Sequence, residues 1–373
     1  MNARERYLSA LLFRKPDRIP FAPGHPREST LTRWRAEGMP AGDWFSSVCA
    51  ALGIQREVAG GEGVQCDISF RMRPAFQEKV IARKGAHLLV QDWMGNIVEI
   101  SDRYDFSYLR QAKDFVTRRW LRFPVADRRS FEKMKKRYDP DDSARYPEDL
   151  SRRLTRLRER THLTRVAVNG PFWQMREWCG FEPLCYLCAD DPSFVREMAE
   201  FWAAFVSRVL ARVLDAGVLD LLLISEDMAY KGKSMVSPQM VRELLLPVWK
   251  RWAGEARQAG VCLVMVDSDG CVDELLPLWI EAGVNATTPV EVAAGCDIVS
   301  YRRRCGTKMA YAGGIDKRAI AKGQRAIEEE LDRVRPVAEG GYIPSCDHAV
   351  PPDVSWQDFL RYAGLLAELT AWR

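Results

Sequence analysis

Eight short apolar runs punctuate the chain: RIPFA (18–22), CDISF (66–70), RVAVNG (165–170), LDLLLIS (219–225), VCLVMV (261–266), VNATTPV (284–290), KMAYAGG (308–314) and GYIPS (341–345). From the third onward, most are separated by a segment whose apolar residues recur at helical spacing. DDPSFVREMAEFWAAFVSRVLARVLDAG opens with Asp and Pro and stops at Gly217, the start and stop signals of a helix. SPQMVRELLLPVWKRWAGEARQAG begins at Ser237 as N-cap with Pro238 in the first turn, and repeats apolar residues at 240, 241, 244, 245, 248 and 252. Apolar strands alternating with helices predict a parallel sheet covered on both faces. Eight such units predict an α/β fold of the (β/α)8 TIM-barrel type. No GxGxxG follows the first strand, which argues against a doubly wound nucleotide-binding sheet.

The first half departs from this rhythm. Residues 71–164 separate the second and third predicted strands and contain a hairpin pattern, KVIARKGAHLLVQDWMGNIVEISD, followed by a charged stretch. Neither part carries a full core pattern, so residues 1–373 are read as one barrel domain with an elaborated N-terminal half. The opening MNARERYLSALLFRKPDRIPF reads as an amphipathic helix, with Tyr7, Leu8, Leu11, Leu12 and Phe13 on its apolar side.

Charge and composition narrow the class. Fifty-five basic against 51 acidic residues give a net charge of +4, without the marked basic excess of a nucleic-acid binder. No apolar run is long enough to span a bilayer, and the charged start lacks the features of a signal peptide. The ten cysteines are scattered, as in a chain that does not need disulfide staples. A cytoplasmic protein that binds neither nucleic acid nor membrane is the expectation.

The polar residues fall at the strand ends. His25 and Arg27 follow the first run, and Asp67 lies within the second. Asn169, Trp173 and Gln174 follow the third; Glu226, Asp227 and Tyr230 the fourth; Asp267 and Asp269 the fifth; Cys346, Asp347 and His348 the eighth. In a barrel all of these open on the C-terminal face, where the βα-loops build active sites. Paired carboxylates there suit acid–base work or metal ligation. Each also has a plainer reading: Asp269 as the cap of the next helix, Glu226 and Asp227 as loop-backbone partners, and Cys346 as a small buried hydrophobe.

The sequence resembles the uroporphyrinogen decarboxylase superfamily. The likeness rests on RERYLSALLFRKPDRIPF, SEDMAYKGKSMVSPQMVRELLLP, DSDGCVDELLPLWIEAGVNATTPVE, GGIDKRAIAKG and GGYIPSCDHAVPPDVSWQDFLRY. That superfamily holds cofactor-free decarboxylases and methyltransferases that exchange methyl groups with corrinoid cobalt. The decarboxylases carry an arginine-rich loop after the first strand; here APGHPREST offers Arg27 alone. The methyltransferases hold zinc through His-x-Cys after strand five and Cys after strand eight; here the first pair is Asp267-x-Asp269, and the last is matched by Cys346. The resemblance therefore implies a corrinoid (cobalamin)-dependent methyltransferase acting on a small O-, N- or S-methylated donor or acceptor. The corrinoid is bound directly or carried by a partner corrinoid protein. It further implies zinc held by Asp267, Asp269, Cys346 and His348, with Glu226, Asp227, Asp267 and His348 in catalytic roles. Substrate contacts are expected from His25, Arg27, Asp67, Asn169, Trp173, Gln174 and Tyr230. The alternatives are a cofactor-free decarboxylase of a carboxylate other than uroporphyrinogen and a catalytically silent binding barrel.

Overall fold

The computed structural model describes residues 1–56, 63–103 and 118–373. Its centre is a seven-stranded, all-parallel sheet curled as part of a TIM barrel, in the order β1 (Val64–Gln65), β6 (Thr164–Asn169), β7 (Leu221–Ser225), β10 (Leu263–Asp267), β11 (Ala286–Thr288), β12 (Ala310–Ile315) and β13 (Tyr342–Cys346). β6, β7 and β10 to β13 coincide with six of the eight predicted runs.

The other two runs depart from prediction for identifiable reasons. Residues 18–22 join no ladder among the described residues. Pro20 interrupts that stretch and Pro16 and Pro23 flank it, and each removes a backbone donor. The C-terminal end of the chain satisfies this backbone instead: Ile19 N–H donates to Thr370 O (3.1 Å), and the Trp372 indole donates to Ile19 O (2.7 Å). The second strand lies at 64–65, not 66–70. Beyond Cys66 the chain turns off the sheet toward Arg145, whose buried guanidinium collects the carbonyls of Ser69, Arg71 and Asp139.

Strand alternation sorts side chains between two cores. Val166, Val168, Leu222, Ile224, Val264 and Val266 face outward into the main core. Helices 192–214 and 246–258 cover this face with Trp202, Trp249 and Trp252. The predicted 237–260 helix is broken at Leu245, because Pro247 cannot donate back into the preceding turn. Leu221, Leu263, Met265, Ala286, Ala310 and Ile343 face inward, and α1 (Ala3–Leu11) closes that end with Leu8 and Leu11.

At the same N-terminal ends of the strands, Asp220 accepts from Arg4, Arg160 and the backbone of Thr164. At the opposite ends, the chain after residue 22 is zipped to the chain after β13. Pro26 and Val350 form a parallel bridge, Thr30 donates to Val350 O, and Trp34 donates to Val354 O.

The elaboration between β1 and β6 contains an antiparallel sheet of β2 (Lys79–Lys84), β3 (His87–Gln91), β4 (Ile97–Ser101) and β5 (Arg119–Arg122). The predicted hairpin corresponds to β2, β3 and β4, whose small core is Leu88, Val90, Val98 and Ile100. Among the described residues no helix is long and apolar enough to cross a membrane.

Candidate functional site at the barrel mouth

Asp267 is the last residue of β10 and stands in register between Ser225 of β7 and Thr288 of β11. Asn169 stands opposite Ser225 on the other side. Strand ends of β6, β7, β10 and β11 thus present Asn169, Ser225, Asp267 and Thr288 in one row, with Asn169 roughly 10 Å from Asp267. Burial pushes the Asp267 carboxyl up to about 6; Asp269 and Asp227 add to the rise, whereas His348 and the Ser225 hydroxyl oppose it.

His348 Nε2 lies 3.1 Å from Asp269 Oδ2. The hydrogen bond to Asp269 holds the imidazole above its ordinary range, against the opposing effect of burial. The other ring nitrogen, Nδ1, is buried without a hydrogen-bond partner among the described residues. Asp269 and His348 keep 41% and 27% of their side-chain surface exposed, so both can be reached from outside the barrel. Asp267, Asp269 and His348 therefore form one interacting set of two acids and a base.

A residue overlooked in the sequence supports this set. Lys317, buried at the first turn after β12, places Nζ 3.3 Å from Asp347 Oδ1 and 3.7 Å from Glu291 Oε1. Asp347 also accepts from Val292 N–H, and Glu291 accepts from Gly270 N–H. One ammonium thus joins the loops after β11, β12 and β13, including the neighbours of Asp269 and His348. The signal was available in GGIDKR, but a lysine opening a helix reads as a solvated side chain.

Several expected site residues sit elsewhere. Cys346 points out of the barrel: its thiol donates to Pro23 O (3.1 Å), burial pushes it up to about 12, and Tyr362 is beside it. Gly24 packs on this cysteine so closely that an added Cβ would lie 2.7 Å from Cys346 Cβ. β13 alternation puts Ser345 inward and Cys346 outward.

Glu226 is also withdrawn, fully buried beneath the helix Pro171–Cys179. It accepts from the backbone of Phe172 and Trp173 and from the Trp249 indole. Burial pushes it up to about 8 against these donors. Gly170 makes room, since a Cβ there would lie 2.1 Å from the carboxyl carbon. Asp227 is clamped by Arg176 through both its carbonyl and its carboxylate, and Arg176 lies over the Trp173 ring.

Among the expected substrate contacts, Asp67 is exposed and paired with Arg153 (2.6 Å). Tyr230 is exposed in the short hairpin of β8 (Ala229–Tyr230) and β9 (Lys233–Ser234). Asn169 and Gln174 line a cleft of about 550 Å3 between the barrel and the elaboration, together with Glu177 and Trp93. Trp173 donates to Glu177 (2.9 Å) from its indole. His25 is exposed, edge-on to Trp44 (5.6 Å). Arg27 occupies the N-cap position of α2 (Glu28–Ala36), and its N–H donates to Val350 O.

Zinc was expected on Asp267, Asp269, Cys346 and His348. With the thiol turned outward and hydrogen-bonded to Pro23, that set does not converge. Among the described residues no group of three His, Cys, Asp or Glu side chains is arranged to hold a metal ion. Zinc therefore has no part in the chemistry derived below.

Comparison with known proteins agrees with the architecture. No curated protein matches the chain. Among solved structures, a methyltransferase from Methanosarcina mazei superposes with a TM-score of 0.58 at 12% identity, covering 100% of this chain and 99% of that one. A B12-independent methionine synthase from a Shewanella species reaches 0.39 at 12% identity, covering 59% of this chain and 65% of the other. The family model of uroporphyrinogen decarboxylase (URO-D) matches residues 120–363, well over half of the chain. The chain belongs to the uroporphyrinogen decarboxylase family.

Proposed function

We propose that this protein is a methyltransferase that moves a methyl group between a small O-, N- or S-methylated substrate and a corrinoid cobalt. The observation that carries the reading is the His348–Asp269 pair beside Asp267 at the open end of a barrel of this family. A heteroatom that loses its methyl group needs a proton as the bond breaks. His348, whose hold on a proton Asp269 strengthens, donates it. Asp267, ionised above about 6, accepts a hydrogen bond from the substrate and takes the proton when the transfer runs the other way. Lys317, through Asp347 and Glu291, holds the loops next to His348 and Asp269.

A corrinoid, when bound, supplies the nucleophilic cobalt that accepts the methyl group. The exposed edge formed by Asp269 and His348 fits a methyl carrier that approaches from outside, on a partner protein or as the free cofactor. The Methanosarcina protein of the same fold is itself described as a methyltransferase.

Cofactor-free decarboxylation is the second reading, favoured by the raised Asp267 carboxyl, which could protonate the carbon that loses CO2. One experiment separates the two. The protein is incubated with a panel of small methyl ethers, methylamines, thioethers and carboxylates, with and without chemically reduced cobalamin. Demethylated product that requires the corrinoid and disappears in His348→Gln supports methyl transfer. CO2 release without corrinoid would sink it.

A further inference from the structure

Arg165 is out of place in its layer of the barrel. It lies on the inward face of β6, in register with Leu221 of β7, which in turn faces Leu263 of β10. Both leucines belong to the apolar interior, as do Leu163 and Ile343. A guanidinium in such surroundings is unfavourable unless it is paired. Asp220, only a short way along the same barrel, shows the usual solution with two arginines around one buried carboxylate. Arg165 has no such arrangement. Among the described residues its Nε is buried without a hydrogen-bond partner, and no described carboxylate forms an ion pair with it.

In front of Arg165 lies a cavity of about 520 Å3, bounded by the segment 20–25, the start of α3 (Trp44–Leu52), and Ile343 and Ser345 of β13. Its size is that of a small-molecule site. Besides Arg165, the wall carries Arg56, His25 and His162. The one acid in it, Asp43, is already engaged with Arg56 (3.2 Å) and caps α3 through Ser46 N–H. The wall also carries four aromatic rings, those of Phe21, Trp44, Phe45 and Tyr7. Burial keeps the Tyr7 hydroxyl protonated, up to about 12, so it serves as a donor beside the guanidinium.

We infer that this cavity binds a small organic anion, a carboxylate on an aromatic or apolar body. The carboxylate pairs with Arg165 through its fork of N–H donors, and the body lies against Phe21, Trp44 and Phe45. The site is distinct from the Asp267–Asp269–His348 cluster and does not depend on the reaction at the mouth. Ser345 connects the two, three residues before His348 on the same chain segment.

The test uses benzoate as probe, with inorganic phosphate at matched ionic strength as the bare-anion control, followed by calorimetry and ligand-observed NMR. Benzoate is expected to saturate at one per chain, to bind about ten- to a hundredfold more weakly to Arg165→Met, and to bind Asp267→Asn unchanged. Methionine suits the apolar layer, so the variant should fold. If it does not, Arg165→Lys, which keeps the charge and loses the fork, is read instead, with clear weakening expected. Equal binding by the Arg165 variants, loss of binding in Asp267→Asn, or phosphate binding as tightly as benzoate would each overturn the proposal.

Discussion

Two aspartates on neighbouring strands occupy opposite ends of this barrel, and their surroundings are opposite too. Asp220, just before β7, is fully buried and surrounded by donors: two arginines and a backbone N–H. Burial alone would raise its pKa, but these partners outweigh it and hold the carboxyl below its ordinary value. Asp267, at the end of β10, has Asp269 and Asp227 for neighbours and only a serine hydroxyl and an imidazole to offset them. At the closed end, the charge is neutralised and strengthens the fold. At the open end, a carboxyl that resists ionisation is kept in place although the fold would be more stable without it, as is common at active sites.

Breaking the Asp220 cluster should have the largest effect. Asp220→Ala leaves Arg4 and Arg160 facing a buried gap, and should lower stability by about 3–5 kcal/mol, read as a drop in the denaturation midpoint. The wild-type contribution has a definite pH dependence. A carboxyl held below its unfolded value stabilises the protein above about pH 4 and loses that effect as pH falls through the folded pKa. Acid unfolding should therefore be blunted in the variant relative to wild type.

At the open end the large effect falls on turnover. His348→Gln should lower it roughly a hundred- to ten-thousand-fold while leaving the denaturation midpoint almost unchanged. In the wild type, kcat/KM should follow a bell, with its lower limb near pH 6, where Asp267 must ionise. The upper limb belongs to His348. Asp269→Asn removes the group that raises it and should bring that limb to lower pH. An upper limb that does not move would remove His348 from the acid role.

Asp267→Asn sharpens the comparison, because function and stability should move in opposite directions. The folded state holds the Asp267 proton more tightly than the unfolded chain, so the group opposes folding above about pH 6 and not below pH 4. The asparagine variant should be inactive yet more stable than wild type at pH 8, by about 3 kcal/mol, and no more stable at pH 4. Equal midpoints at pH 8 would show that Asp267 is not strained.

The same contrast explains what could be read from the sequence. Strands β6, β7 and β10 to β13 were legible because buried parallel strands are continuous apolar runs, and the mouth was legible because polar residues follow each run. Direction was not. Cys346 and Asp347 are adjacent, so they face opposite ways, and spacing alone did not say which faced the mouth. Glu226 looked like a site acid, but three N–H donors, two from the helix Pro171–Cys179 and one from Trp249, claim it. These partners are more than twenty residues away in the chain. Lys317 and Arg165 were missed for the converse reason, since a basic residue in sequence reads as solvated until burial is known. The first barrel strand failed because apolar character outweighed Pro20 and the flanking Pro16 and Pro23 in the reading, whereas in the fold the missing donors decide.

Cys346 gives the smallest expected effect and the cleanest decision on the mouth. Were it a ligand in the reaction, its removal would abolish turnover. As placed, its thiol donates to Pro23 O and fills the space between Gly24 and Tyr362, on the outer face of β13 and two residues before His348. Cys346→Ala should lower stability by about 1 kcal/mol, the worth of one buried hydrogen bond with a small packing loss, and leave kcat within a fewfold of wild type. The pH profile should be unchanged, because neither Asp267 nor His348 touches the thiol. If turnover instead fell in parallel with that of His348→Gln, Cys346 would have to reach the mouth in the working enzyme. The inward–outward register of β13 would then be wrong by one residue.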